Sequence, residues 1–531
     1  MTDHKPTKYY YLPVVLSLCI ALGLWVGKTM SNGIDSSSHS GGSAKYQKMQ
    51  DIIDVLDQRY VDSLNGEALF EQTISDMLHK LDPHSNYIAA KDLELMNESI
   101  QGQFGGVGVR FFILRDTICV TNVIIGSPSD RAGLKAGDKI IKVDGKNVAK
   151  KKITNEKVMA LLKGNENTTV SLQLLRNGKL ITKNVVRGTI PIESIVSAYM
   201  VEPTIGFIKI DQFSINTSRE FRKAALWLKQ KGMKKLILDL RNNGGGVLQS
   251  ATDIADEFLS NNLPMLKTKG EHTKPQTYRA TSGGILESTE LAILINANSA
   301  SASEILAGAI QDNDRGTIIG RRSFGKGLVQ EDVQLRDGSN LRLTIARYYT
   351  PTGRCIQKSY EEGYDEYMSD QRDRFDSGEL YKPDSTLFAD SLKFKTPKGK
   401  IVYGGGGIMP DVFVPFDSIG TSWYYTDLRF SQAFNAFAFD FVQQRRNKWK
   451  TIEDFEKNFS VSDVILNQFV QFAQKEIKIT KDKEGLAHSK TLIVKTLKAE
   501  IARQLWLEDG YYRITNKTDN EVQRALKYLK R

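Results

Sequence analysis

Leu291-Ala292-Ile293-Leu294-Ile295-Asn296-Ala297 runs directly into Asn298-Ser299-Ala300-Ser301-Ala302-Ser303-Glu304 and then Ile305-Leu306-Ala307-Gly308-Ala309-Ile310. The first segment reads as a buried strand, the last as an apolar helix, and the serine-rich stretch as the turn joining them. A serine at such a turn exposes its hydroxyl, and the N–H groups of the helix start converge on any anion formed beside it. The same alternation extends both ways. Upstream lie a strand over 205–210, a helix over 218–229, a strand over 236–240 interrupted only by Asp239, the loop Asn242-Asn243-Gly244-Gly245-Gly246 and a helix over about 249–259. Downstream come a strand over 317–320 and a hairpin around Asp337-Gly338 linking 331–335 to 341–346. The pattern predicts an α/β core with a mixed sheet over residues 189–416, with the charged stretch 360–400 as a surface insertion.

The chain of 531 residues is too long for one core, and several domains are expected. Residues 44–99 read as helical, because Met49, Ile52, Ile53, Leu56 and Tyr60 recur at three- and four-residue intervals. A second helix over 68–81 ends at Leu81-Asp82-Pro83-His84-Ser85, where Pro83 breaks it; His84 reads as a structural turn residue. Residues 100–188 read as a compact β-rich module, entered through the glycine loop Gly105-Gly106-Val107-Gly108. Residues 417–531 read as helical, with a short non-helical stretch near Gly510, and Trp423 and the aromatics around it as core.

Lys5 and Lys8 precede an apolar run over 9–26, closed by Gly27-Lys28 and followed by a Ser/Gly stalk to residue 43. At about 18 residues the run is just long enough to cross a bilayer and reads as an uncleaved signal anchor, with a cleaved signal peptide as the alternative. Charge ahead of the run puts residues 29–531 outside the cytoplasm. Cys19, Cys119 and Cys355 supply no disulfide framework. The net charge of +11 is spread along the chain with no dense basic block, which argues against nucleic-acid binding.

Further chemistry lies in Phe324-Gly325-Lys326-Gly327-Leu328-Val329-Gln330. Glycines flanking Lys326 allow close packing, and Phe324, Leu328 and Val329 supply apolar neighbours. A lysine acts as a base only when neutral, so its pKa must fall from about 10.4 to about 7–8, roughly 4 kcal/mol of desolvation. On an extended segment Gln330 shares a face with Lys326. No histidine lies between His272 and His488, so a serine hydrolase with a lysine base is favoured over Ser-His-Asp. Plainer readings exist for each part. Ser301 with Glu304 spells a helix capping box, Lys326 alone would be a solvated surface lysine, and the triple glycine a mere turn. Gly320 through Gly327 nearly spells a phosphate-binding loop, but Gly327 stands where Ser or Thr is required and a strand follows instead of a helix.

Taken together and in this order, these residues resemble the carboxyl-terminal processing, or tail-specific, serine peptidase family over residues 44–416, ending near Gly407-Ile408-Met409-Pro410-Asp411-Val412. The resemblance implies Ser301 as nucleophile, Lys326 as general base and Gln330 as its orienting group. It implies an oxyanion hole from the N–H of Ala302 and a loop glycine, most simply Gly245, although Gly244 stands where the family often has proline or serine and leaves Gly246 as the rival donor. It implies a PDZ domain at 100–188, whose Gly105, Gly106, Val107 and Gly108 form a nest for a substrate's terminal carboxylate. Neither metal nor other cofactor is implied. The expected partners are protein or peptide C-termini and, through the N-terminal segment, a bacterial inner membrane with the catalytic part in the periplasm. The C-terminal helical region is open to two readings, a homo-oligomer contact or substrate selection. The rival from another class is a PDZ-bearing scaffold with a dead catalytic core.

Overall fold

The computed structural model of the chain describes Ser17, residues 43–383 and residues 389–531. The apolar run at 9–26 and the stalk, apart from Ser17 and Ser43, lie outside the described residues. Among the described residues no helix is long and apolar enough to cross a membrane. The chain divides into two units, residues 1–76 and 77–531. The first contains the helix Ser43–Arg59 and most of the helix Gly66–His79. An apolar groove lined by Met49, Ile52, Leu56, Leu69 and Phe70 runs between them.

The second unit is built around a six-stranded sheet. Its spatial order is Ile195–Glu202, Ile205–Ile210, Lys235–Asp239, Glu290–Ile295, Thr317–Gly320 and Val412–Phe413. The first pair is antiparallel and all others are parallel. Central parallel strands are covered on both faces, which is why Ile205–Ile210 is buried at every position. Helices Thr217–Gln230, Leu248–Asp256 and Ala302–Asp312 cover one face through Phe221, Leu228, Ile254 and Leu306. The last helix, Asn520–Leu529, covers the other, setting Val522, Ala525, Leu526 and Leu529 on Phe207, Ile237 and Leu294. The α/β core thus takes its final layer from a segment that sequence reading assigns to a separate helical region.

A second sheet carries Asn86–Ile88, Asn340–Tyr349, Pro264–Lys269 and Gln276–Arg279, with Leu328–Gln334 paired to Asn340–Tyr349. Its strand Asn86–Ile88 comes from the stretch read as helical. A third sheet, bracketed by the ribbon of Gln103–Gly106 and Gly188–Pro191, forms the module expected at 100–188, with Val109–Leu114 as an edge strand. The module leans on the C-terminal helices, where Phe112 meets Phe439 edge-on with centroids 5.1 Å apart. In those helices the break falls at Trp506 and Leu507, where φ of Leu507 is 56°, and Gly510 sits inside the helix Lys483–Thr515. A Cβ on Gly510 would lie 2.6 Å from the Ala502 carbonyl oxygen, so this glycine serves close packing and not a turn. Trp423 is 85% exposed and is not core, whereas Tyr424 and Phe434 are buried.

Asp239 interrupts its strand for a reason. Fully buried, it pairs with Arg241 at 2.7 Å, and Arg241 reaches Asp519 at 2.9 Å and also Glu521, at the start of the last helix. A buried ion network of this kind fixes geometry more than it adds stability; the stability of this layer comes from its apolar face. Leu526→Ala is expected to destabilise the protein by about 2–5 kcal/mol, measured by denaturant unfolding.

Candidate active site

Two loops meet at the C-terminal ends of neighbouring parallel strands, where open α/β sheets place their ligands. One follows Lys235–Asp239 and carries Asn242 to Gly246; the other follows Glu290–Ile295 and carries Ser301. They are stitched together by the Ala300 N–H on the Asn243 carbonyl at 3.0 Å, the Ser303 hydroxyl on the same carbonyl at 2.9 Å and the Ser299 hydroxyl on the Leu240 carbonyl at 2.9 Å. This support is needed because Ser301 adopts φ 55°, ψ −115°, a conformation that strains a non-glycine residue by about 1–3 kcal/mol. It is the N-cap of Ala302–Asp312, and the expected capping box with Glu304 is present. The Glu304 carboxylate accepts the Ser301 N–H at 2.8 Å, while the Glu304 N–H turns to the Ser301 carbonyl.

Lys326 stands just before the strand Leu328–Gln334, and its Nζ donates to Gln330 Oε1 at 2.8 Å. Gln330 in turn donates its Nε2 to the His84 carbonyl, which fixes the amide's orientation. Ser301, Lys326 and Gln330 line one cavity of about 340 Å³ whose apolar wall includes Ile100, Val247, Leu248 and Ile305. Burial, and next the Arg342 guanidinium, push the Lys326 pKa down to about 8, against the opposing pull of Asp82 and Glu304. An amine in that range supplies an appreciable neutral fraction at neutral pH.

The oxyanion expectation meets a specific arrangement. Gly245 has φ 98°, and a Cβ there would stand 2.7 Å from Ser301 Cβ and 2.9 Å from the Ala302 nitrogen, so only glycine fits against the serine turn. The Gly245 N–H is engaged by Asn243 Oδ1 at 2.9 Å, and the glycines that line the cavity are Gly244 and Gly246. In the β-rich module the glycine stretch is shared between two structures. Gly105 and Gly106 pair with Thr189 and Gly188 in the ribbon, and Val107 with Gly108 (φ 81°) turns the chain into the edge strand.

Sequence reading missed several neighbours. His84 proves to be an indirect partner of Lys326 through its carbonyl, while its ring bonds the Tyr367 hydroxyl at 2.7 Å. Burial and the nearby Lys326 charge lower its pKa to about 3, which leaves it a poor base. Asp82 holds that turn, accepting the N–H groups of His84 and Ser85, both at 2.8 Å. The charged stretch 360–400 is not merely superficial. Its helix Tyr364–Asp376 buries Tyr367 and Arg374, and Arg374 donates to the Ser323 carbonyl at 2.9 Å and the Phe324 carbonyl at 3.2 Å, just ahead of Lys326. Its charge can turn inward because Asp370 pairs with both Arg374 and Lys358. Among the described residues no cluster of three or more His, Cys, Asp or Glu could hold a metal ion.

Comparison with known proteins follows the same division of the chain. Residues 204–363 match the model of peptidase family S41, residues 105–186 that of the PDZ domain, and residues 424–508 a family of unknown function, DUF8443. A carboxy-terminal-processing protease of Bartonella bacilliformis is 36% identical over 335 residues, 62% of this chain and 76% of that protein. A probable CtpA-like serine protease of Staphylococcus aureus is 33% identical over 317 residues, 59% of this chain and 63% of its own length. Among solved structures, the photosystem II D1 C-terminal processing protease aligns at 25% identity over 70% of this chain and 94% of that chain, with a TM-score of 0.36.

Arg342 opposes protonation of Lys326 and is itself held by Asp332 through two bonds, at 2.7 and 2.8 Å. Arg342→Gln removes the cation and leaves Asp332 unpaired near the amine, and both changes raise the Lys326 pKa. The rise of kcat/KM with pH is therefore expected to move to higher pH, with about threefold to tenfold less activity at pH 7, read from a pH profile on an uncharged peptide.

Proposed function

We propose that this chain, a member of peptidase family S41 that is 36% identical to a carboxy-terminal-processing protease over 62% of its length, is a serine endopeptidase that takes protein tails by their C-termini and cuts with a Ser301–Lys326 dyad. The observation that carries this reading is the shared cavity. It holds a serine in a strained backbone conformation at a helix start and a lysine whose amine is buried, lowered in pKa and oriented by a neutral amide.

In the proposed reaction neutral Lys326 accepts the Ser301 proton as Oγ attacks the scissile carbonyl, and the ammonium then protonates the leaving amine. The oxyanion would be met by the Ala302 N–H at the helix start together with an N–H of the Gly244–Gly246 loop. A water deprotonated by Lys326 releases the acyl group and restores the serine. The PDZ edge strand Val109–Leu114 supports capture of an extended tail by strand addition. The ribbon that carries this domain is close to the cavity in sequence and in space. Gly102 abuts Ser214, and Ile100 lines the cavity wall. Tail capture transmitted along the ribbon would bring the hydroxyl and amine into contact, as a lid or loop closure does in other enzymes. The apolar run at 9–26 supports anchoring to the inner membrane with the peptidase in the periplasm.

Ser301→Ala and Lys326→Ala in the full chain are each expected to lower casein cleavage by on the order of 10³-fold or more, and Gln330→Ala by about 10–100-fold. EDTA is expected to leave the wild type unaffected. Casein cleavage by Ser301→Ala at the wild-type rate, or tail binding without any cleavage by the wild type, would sink the reading; the latter outcome would favour a scaffold.

A further inference from the structure

Nucleophile and base come from different sheets. Ser301 follows a strand of the six-stranded sheet, and Lys326 precedes a strand of the five-stranded one. Their separation therefore depends on how two independent layers are held, and two buried side chains span that gap. Glu304 Oε2 accepts the Ser301 N–H at 2.8 Å and the Lys326 N–H at 2.9 Å. The other carboxylate oxygen accepts the Gly325 N–H at 2.7 Å and the Ser323 hydroxyl. From the opposite side of the peptide units, the Tyr348 hydroxyl reaches the Ser301 carbonyl at 3.2 Å and also the Lys326 carbonyl. Glu304 is 0% and Tyr348 1% exposed. The Tyr348 N–H adds a bond to the Gly327 carbonyl at 2.9 Å.

We propose that Glu304 and Tyr348 are positioning residues that set the spacing between Ser301 and Lys326 by clamping both main chains, one through their N–H groups and the other through their carbonyls. Ordinary helix capping accounts for only one of the four donors on Glu304. The other three come from residues 323–326, a segment outside the helix. A buried tyrosine needs one acceptor for its hydroxyl; this one meets the carbonyls of the two residues whose chemistry must coincide. A shared acceptor on one oxygen makes any slide of one segment past the other break two charge-assisted bonds.

The inference rests on the Ser–Lys reading, and one set of variants separates the two. In the full chain, Tyr348→Phe keeps the ring and removes the hydroxyl; Glu304→Gln keeps the shape and turns two of the acceptor positions into donors. Each is expected to lower kcat on a fluorogenic peptide by about tenfold or more while KM stays within about twofold. The rate at which a fluorophosphonate labels Ser301 is expected to fall in parallel, because that rate depends on the dyad and not on peptide binding. A kcat and a labelling rate within about twofold of wild type in either folded variant would overturn the clamp, as would a loss confined to KM. If one variant does not fold, the other decides. Wild-type labelling of Lys326→Ala would instead remove the Ser–Lys reading itself, whereas an inert Lys326→Ala beside unimpaired clamp variants would leave the dyad standing and remove the clamp alone.

Discussion

The proposed dyad depends on an amine that gives up its proton near neutral pH within reach of a serine, and the surroundings of Lys326 lower its pKa accordingly. Each pKa unit by which Lys326 falls corresponds to about 1.4 kcal/mol of disfavoured ammonium. Burial supplies the largest part, and the Arg342 cation adds to it. The partner chosen for Nζ is consistent with this need. Gln330 orients the amine through a neutral oxygen, where a carboxylate at the same place would favour the ammonium and undo the effect of burial. Two carboxylates do stand near Lys326, Asp82 and Glu304, and both have their oxygens turned to backbone N–H groups and hydroxyls. Their charge is spent on holding the local chain, which limits the pull they exert on the amine.

Much of this arrangement was legible before any fold was known. The strand, turn and helix around Ser301, the hairpin at Asp337-Gly338 and the four-residue spacing of Lys326 and Gln330 all appear in the structure, because each rests on local periodicity or turn chemistry. The pair Asp332–Arg342 was within reach of the same reasoning, since the hairpin register sets those two residues directly opposite each other. What was not legible depends on long-range contact. The carbonyl of His84 carries no side-chain signature, and its bond to Gln330 spans 246 positions. Tyr348 reads as an ordinary strand residue. Serine gives no sign of φ 55°, which is imposed by the loops stitched beneath it.

Charge misled at one stretch. A stretch as charged as 360–400 reads as solvated, yet Arg374 is 2% exposed, and Lys358, just before that stretch, lies over the rings of Phe324 and Tyr367 at 4.3 and 4.0 Å. Such burial is tolerable because Asp370 pairs with both cations and aromatic faces replace part of their hydration. The non-helical stretch expected near Gly510 falls at Trp506 and Leu507, and Gly510 itself is a point of helix contact.

The division of the proposed dyad between two sheets accounts for the buried polarity that gathers at this point. Two residues on one sheet would inherit their spacing from backbone pairing; Ser301 and Lys326 inherit theirs from the packing of layers, which apolar contacts alone would leave free to slide by fractions of an ångström. Directional bonds remove that freedom. Glu304 and Tyr348 bind the same two residues from their donor and acceptor sides, Gln330 carries the constraint on to the His84 turn, and Asp82 fixes that turn to Thr344 on the neighbouring strand at 3.0 Å. Burial pushes the Glu304 pKa up, and the donors around it oppose that shift, so the anchor holds as long as its carboxylate keeps its charge. With both main chains held, the approach of hydroxyl to amine is left to side-chain torsions.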